Sequence, residues 1–156
     1  MTTIDPDRDL VLERTLDAPA EALFRCWTEA DLLKQWFAPK PYTTPEAVLD
    51  VRPGGSSRIV MQSPEGQPMP NVGVYLEVAP GKKLVFTDAF TEAWAPAAKP
   101  FMAVTLTFED LGDGRSKYTA LARHWSKEDK EAHEAMGFLV GWGICADQME
   151  ALAKTL

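Results

Sequence analysis

The sequence predicts an α+β domain: one curved, seven-stranded antiparallel sheet gripping a long C-terminal helix, with two short helices between the first and second strands. Three observations predict it. The apolar period is two in a first short stretch and again from about residue 45 to 125, and it is 3.6 in the segments between and after. Tight, turn-forming links join most of the later strands, so neighbours must pair antiparallel, because a parallel pair needs a long crossover. One such sheet followed by one long amphipathic helix packs simply if the sheet curls around the helix.

Each element follows from its residues. RDLVLERTL, residues 8–16, alternates and predicts the first strand. Pro19 suits the first position of a helix with Asp17 or Ala18 near its cap, and Leu23, Phe24 and Trp27 follow at helical spacing. Thr28 is expected to cap a second helix, TEADLLKQWF, in which Leu32, Leu33, Trp36 and Phe37 form one apolar stripe. Ala38-Pro39-Lys40-Pro41 ends it, since proline cannot continue a helix. Six further strands are predicted at 45–52, 56–62, 71–79, 82–90, 101–110 and 115–125. Gly54-Gly55, Pro64-Glu65-Gly66, Pro80-Gly81 and Gly112-Asp113-Gly114 supply the turns. Ser126 caps the closing helix, predicted to run unbroken to about residue 154. Its expected core stripe is Ala135, Phe138, Leu139, Trp142, Cys145, Met149, Leu152 and Leu156, and its glycines 137, 141 and 143 permit a close approach or a slight bend. Met136, Val140 and Ile144 form a second apolar stripe that either packs on a partner subunit or is merely part-covered, so a homodimer is one expectation.

Composition narrows the function. At 156 residues the chain is expected to be one domain over 1–156, with an ordered core at about 8–155. A net charge of −7 argues against nucleic acid and against an anionic membrane surface, both of which need a basic face. No apolar run reaches the ~20 residues of a membrane span, and MTTIDPDRD lacks the basic and apolar regions of a signal peptide. Cys26 and Cys145 are too few for a disulfide framework, so free thiols and a cytoplasmic location are expected. No metal and no cofactor are expected: there is no His/Cys cluster at zinc spacing and no dinucleotide fingerprint. No G-x-S-x-G elbow or other motif nominates a nucleophile.

The pair Gly54-Gly55 in DVRPGGSSRIVM poses a choice between a hairpin turn and a phosphate cradle. A phosphate loop needs a following helix whose N-terminus faces the anion. Here SSRIVMQ follows, an alternating strand, so the glycines turn a hairpin. If they are its central residues, Arg52 lies opposite Ser57 and Asp50 opposite Ile59, on the face of Met61. A longer turn shifts that register and leaves Asp50 and Arg52 as a surface pair.

Alternation nominates inward faces. Around Pro80-Gly81, Val74, Leu76 and Val78 fall with Leu84, Phe86, Asp88 and Phe90. Met102, Val104, Leu106 and Phe108 share a face of the next strand. Asp88, if buried there, needs a partner or a raised pKa; at a strand end it is wetted instead. His124 suits a general base near neutral pH, or else is a histidine hydrogen-bonded at the rim. TEAWAPAAKP, 91–100, is too long for a tight hairpin and reads as a lid with Trp94 as its contact, or as a surface loop anchored by that residue.

Several motifs in order carry a resemblance: FRCWTEADLLKQWFAP, DVRPGGSSRIVM, GVYLEVAPGKKLVFTDAF, VTLTFED and the terminal GWGICADQMEAL. Over roughly 8–156 the chain resembles the family of activator of heat-shock protein 90 ATPase homologues, within the START-like, helix-grip superfamily of polyketide cyclases and ligand carriers. The resemblance implies a sheet gripping the terminal helix, with Tyr118, Ala120, Ala122 and His124 facing inward. A curved sheet with a helix across it encloses a wedge that either stays open as a cavity for a small apolar or aromatic ligand, the preferred reading, or is filled by Phe138, Leu139 and Trp142 as a packed core. Residues expected at that cavity are Trp36, Met61, Phe86, Asp88, Phe90, Trp94, Met102, Tyr118, His124, Phe138 and Trp142. One alternative is a cyclase- or hydrolase-type enzyme acting there, with His124, Asp88 or Tyr118 as acid or base. Another is a co-chaperone stimulating a chaperone ATPase. A chaperone partner is not expected, because the family's eukaryotic activators pair this domain with an N-terminal one for which 156 residues leave no room.

Overall fold

The structure is a computed structural model of the chain and describes residues 3–156. Among the described residues, nine strands form two sheets. The main one is antiparallel, with strand order β1-β9-β8-β5-β4-β3-β2 across seven strands. Its strands are β1 (Asp9–Leu16), β2 (Thr43–Leu49), β3 (Ser56–Gln62), β4 (Pro68–Ala79), β5 (Lys83–Thr87), β8 (Met102–Gly112) and β9 (Arg115–His124). Between β5 and β8, the short strands β6 (Phe90–Glu92) and β7 (Ala95–Pro96) pair with each other as a separate hairpin. The helices are α1 (Ala20–Thr28), α2 (Ala30–Leu33), α3 (Lys127–Ala135) and α4 (Phe138–Ala153). Among the described residues no helix is long and apolar enough to cross a membrane.

The expected architecture holds, and four local expectations do not. First, the closing helix is broken. Met136 ends α3 and Gly137 takes φ 89°, a left-handed conformation that reorients the chain before α4 begins. The core face of α4 therefore runs through Phe138, Gly143, Ala146, Met149 and Ala153, while Ala135, Leu139 and Leu156 are exposed. Met136 and Val140 are also exposed, at 70% and 69%, as the second stripe required. Second, α2 is a single turn. The Thr28 hydroxyl donates to the Phe24 carbonyl at 2.9 Å, so it closes α1 instead of capping α2, and Trp36 and Phe37 follow in turns.

Third, the strand predicted at 82–90 ends at Thr87, where the chain leaves the sheet for the β6–β7 hairpin. Fourth, a bulge between Tyr75 and Glu77 breaks the alternation of β4. Tyr75 then lies opposite Phe86 and is buried, and Leu76 is turned out to 39% exposure.

The turn between β2 and β3 spans Asp50–Gly55. Leu49 pairs with Ser57 and Ala47 with Ile59, so Asp50 and Arg52 lie in the turn and form an exposed ion pair, Nη2 to Oδ2 at 2.9 Å. Gly54 N–H donates to the Tyr75 carbonyl at 2.8 Å and Tyr75 N–H donates to the Gly55 carbonyl at 2.9 Å, which pins this turn onto β4.

The core lies between the sheet's concave face, α1 and α4. Val104, Leu106 and Phe108 stand opposite Ala122, Ala120 and Tyr118, and all six are buried. Phe138 and Met149 of α4 are buried at 2% and 0% exposure; each contributes about 2–3 kcal/mol by removal from water. Arg14 of β1 reaches across to the Gly143 carbonyl and the Asp147 carboxylate, fixing α4 against the sheet edge.

Candidate functional site

Apolar side chains of the sheet and helices do not fill the concave side completely. A cavity of about 300 Å³ remains, at the low end of the range for small-molecule sites. Its wall on the helix side is Trp27, Leu33 and Trp142 with Phe37 of the turns after α2; its sheet wall is Ser57 and Ile59 of β3, residues 70–73 and Tyr75 of β4, Phe86 and Thr87 of β5, and Met102 of β8. Asp88 and Lys99 complete the lining.

Trp27 organises the aromatic part. Its ring lies 5.6 Å from Phe86, 5.7 Å from Phe37 and 6.5 Å from Trp142, centroid to centroid. Its indole N–H donates to the Tyr118 hydroxyl at 3.3 Å, which fixes the ring's orientation. Several polar groups of the lining are held by the protein itself. The Thr87 hydroxyl donates to the Met102 carbonyl at 2.8 Å and accepts from Ala89 N–H at 3.1 Å. Asp88 Oδ1 accepts from the backbone N–H groups of Phe101 and Met102 at 2.9 and 3.1 Å, stitching the end of β5 to the start of β8. Asn71 Nδ2 donates to the Met69 carbonyl at 3.2 Å and the Ile59 carbonyl at 3.5 Å. Burial, with the Asp50 charge as a lesser cause, pushes the Tyr75 phenol well above its ordinary range, so it stays protonated.

A second, more open groove of about 800 Å³ lies between α1, the β4–β5 turn and β8. Glu21, Arg25, Lys82, Glu109 and Asp110 line it with both signs of charge, and nothing in it converges on a point.

Residues 17–154 match the family described as Activator of Hsp90 ATPase homolog 1-like protein. The chain belongs to that family. A crystal structure of a Nitrosomonas europaea protein is 40% identical to this family member, with 97% of each chain covered and a TM-score of 0.93. A Rhodobacter sphaeroides protein is 20% identical over 99% of this chain and 98% of that one, with a TM-score of 0.82. One from Mycobacterium smegmatis is 22% identical over 94% and 90%, with a TM-score of 0.78; these last two bear on the fold alone. No curated protein matches the chain.

Of the residues expected at the cavity of this family member, Phe86, Asp88, Met102 and Trp142 line it. The others stand elsewhere. Trp36 is buried behind Trp27, with its indole N–H donating to the Cys26 carbonyl at 3.0 Å. Met61 sits two residues beyond Ile59 on β3, outside the lining. Phe90 and Trp94 pack edge to face at 5.5 Å in the small hairpin, and Trp94 is 61% exposed. Its ring lies against Gly54, so the lid expected over the mouth is a hairpin anchored on the β2–β3 turn. Tyr118 is buried, and burial keeps its phenol protonated beyond the ordinary range.

His124 is also buried away from the cavity. Its Nδ1 donates to the Arg8 carbonyl at 2.8 Å, which leaves Nε2 bare in the neutral ring. His133 Nδ1 donates to that Nε2 at 2.9 Å. Phe101, Phe138 and Trp142 surround the pair, and burial, then the neighbouring His124, lowers His133 to about 4. Phe138 belongs to this cluster and not to the lining.

Sequence reasoning missed Trp27, Phe37 and Tyr75. The first two carried the helical stripes and were read only as core. Tyr75 was hidden by the bulge, which no residue pattern announced. Cys26 and Cys145 are free, and burial raises both thiols to about 11.

Proposed function

We propose that this protein binds a small apolar or aromatic molecule in the cavity between its sheet and its helices. The observation that carries the reading is the lining itself: a 300 Å³ hollow walled by Trp27, Phe37, Tyr75, Phe86 and Trp142, with polar groups of Ser57, Tyr75 and Asp88 left to orient a guest. An unfilled apolar hollow is costly to a core, and a guest that fills it stabilises the fold by mass action. Acid–base catalysis in the same place has less support, because of His124, Asp88 and Tyr118 only Asp88 reaches the cavity. Native mass spectrometry of freshly purified protein tests the reading. A co-purifying small molecule, and a saturable rise in melting temperature when it is added back to stripped protein, are the expected results. Protein that carries nothing and melts at one temperature across a library of small aromatic compounds would refute it.

A further inference from the structure

The cavity's walls bear on the charge of a guest. Trp27, Phe37, Tyr75, Phe86 and Trp142 put five aromatic rings around one small volume, and aromatic faces attract cations through the ring quadrupole. Asp88 supplies the one carboxylate of the lining, half-buried, with Oδ1 held by two backbone N–H groups. Its Oδ2 has no hydrogen-bond partner among the described residues. Asn71, itself exposed, leaves a second and weaker acceptor. Its amide nitrogen must face the two carbonyls it bonds, so Oδ1 points away from them, and it too has no partner among the described residues. The Ser57 and Tyr75 hydroxyls can accept as readily as donate. Against these stand two donors, the Trp142 indole N–H and Lys99. Lys99 is exposed, so its ammonium stays hydrated in water, whereas Asp88 is fixed in the wall. The chain's net charge of −7 draws cations towards it.

We infer that the guest is an organic cation: a protonated or quaternary amine on a small apolar or aromatic body, with its charge between Asp88 Oδ2 and the aromatic rings. The inference rests on the reading of the cavity as a small-molecule site, and the test separates the two. Three probes of similar size are titrated by calorimetry or tryptophan fluorescence: phenyltrimethylammonium, its neutral carbon isostere tert-butylbenzene, and benzenesulfonate. The expected result is that the cation binds roughly tenfold tighter than the isostere and that the sulfonate binds weakest. In Asp88→Asn, which keeps an Oδ1 acceptor for Phe101 and Met102, the cation should fall towards parity while the isostere is unmoved. If the neutral isostere binds as well as the cation, or the sulfonate binds best, the charge inference is overturned and the cavity reading stands. If none of the three binds saturably, both are overturned.

Discussion

Trp27 is held by a single polar contact, its indole N–H on the Tyr118 hydroxyl at 3.3 Å, across 91 residues of sequence. Both residues are buried, so the pair is a case in which losing one partner costs more than the bond is worth. Tyr118→Phe keeps the ring and its packing against Phe108 but strands the indole N–H away from water. We expect about 1–3 kcal/mol of lost stability, read as a melting temperature lower by several degrees. An unchanged melt would mean that the indole finds another acceptor. As a sequence position Tyr118 suggested an acid or base; only its partner shows that it positions a cavity wall. Such partners are invisible to periodicity, which reports the face a side chain occupies and not what meets it there. Asp88 was legible because a lone carboxylate among phenylalanines on one strand stands out. Its backbone partners, 13 and 14 residues on, were not.

At the scale of elements, turns and periods were legible and interruptions were not. Seven strands are legible, three of them with an end three residues from the observed one, because side-chain alternation and glycine turns are local signals. The bulge at Leu76 and the break at Gly137 insert themselves into otherwise regular patterns, and the pattern reads through them. Two glycines show different physics at such joints. Gly137 has φ 89° and open space where a Cβ would go, so Gly137→Ala meets only the left-handed penalty, about 1–2 kcal/mol. Gly55 is crowded instead: a Cβ there would lie 1.9 Å from the Asp50 carbonyl oxygen. Relief would require opening the turn that Tyr75 clamps at 2.8 and 2.9 Å. Gly55→Ala should therefore destabilise more than Gly137→Ala, and Gly137→Asn less than either, by chemical denaturation of all three. Equal midpoints for the two alanine variants would contradict this account of the turn.

Across the whole molecule the antiparallel pairing of consecutive strands and the packing of α4 on the sheet follow from hydrophobic pattern and short links, which is why they were legible from the sequence, whereas the pairing of β1 with β9 joins strands far apart in the chain and was not. What ties the N-terminal segment, β9 and α3 together is a polar device that the pattern does not encode, the His124–His133 pair. Arg8 O, His124 and His133 form one chain of hydrogen bonds at 2.8 and 2.9 Å, in which each Nδ1 donates. Adding a proton to His133 places a charge among Phe101, Phe138 and Trp142, and no carboxylate among the described residues bonds either ring. The folded-state pKa of about 4 lies below the unfolded value of 6.5, so between those limits the unfolded chain binds more protons. Stability from this group is therefore complete above pH 6.5 and is lost as pH falls towards 4. Between pH 7.5 and 5 the loss is about 2 kcal/mol. Urea unfolding at those two pH values measures it, with His133→Asn as the comparison. Asparagine retains a donor towards His124 but cannot take up the proton, so the variant should be less stable at pH 7.5 and lose less on going to pH 5. Equal losses in the two proteins would place the acid sensitivity in the carboxylates instead and remove His133 from the account.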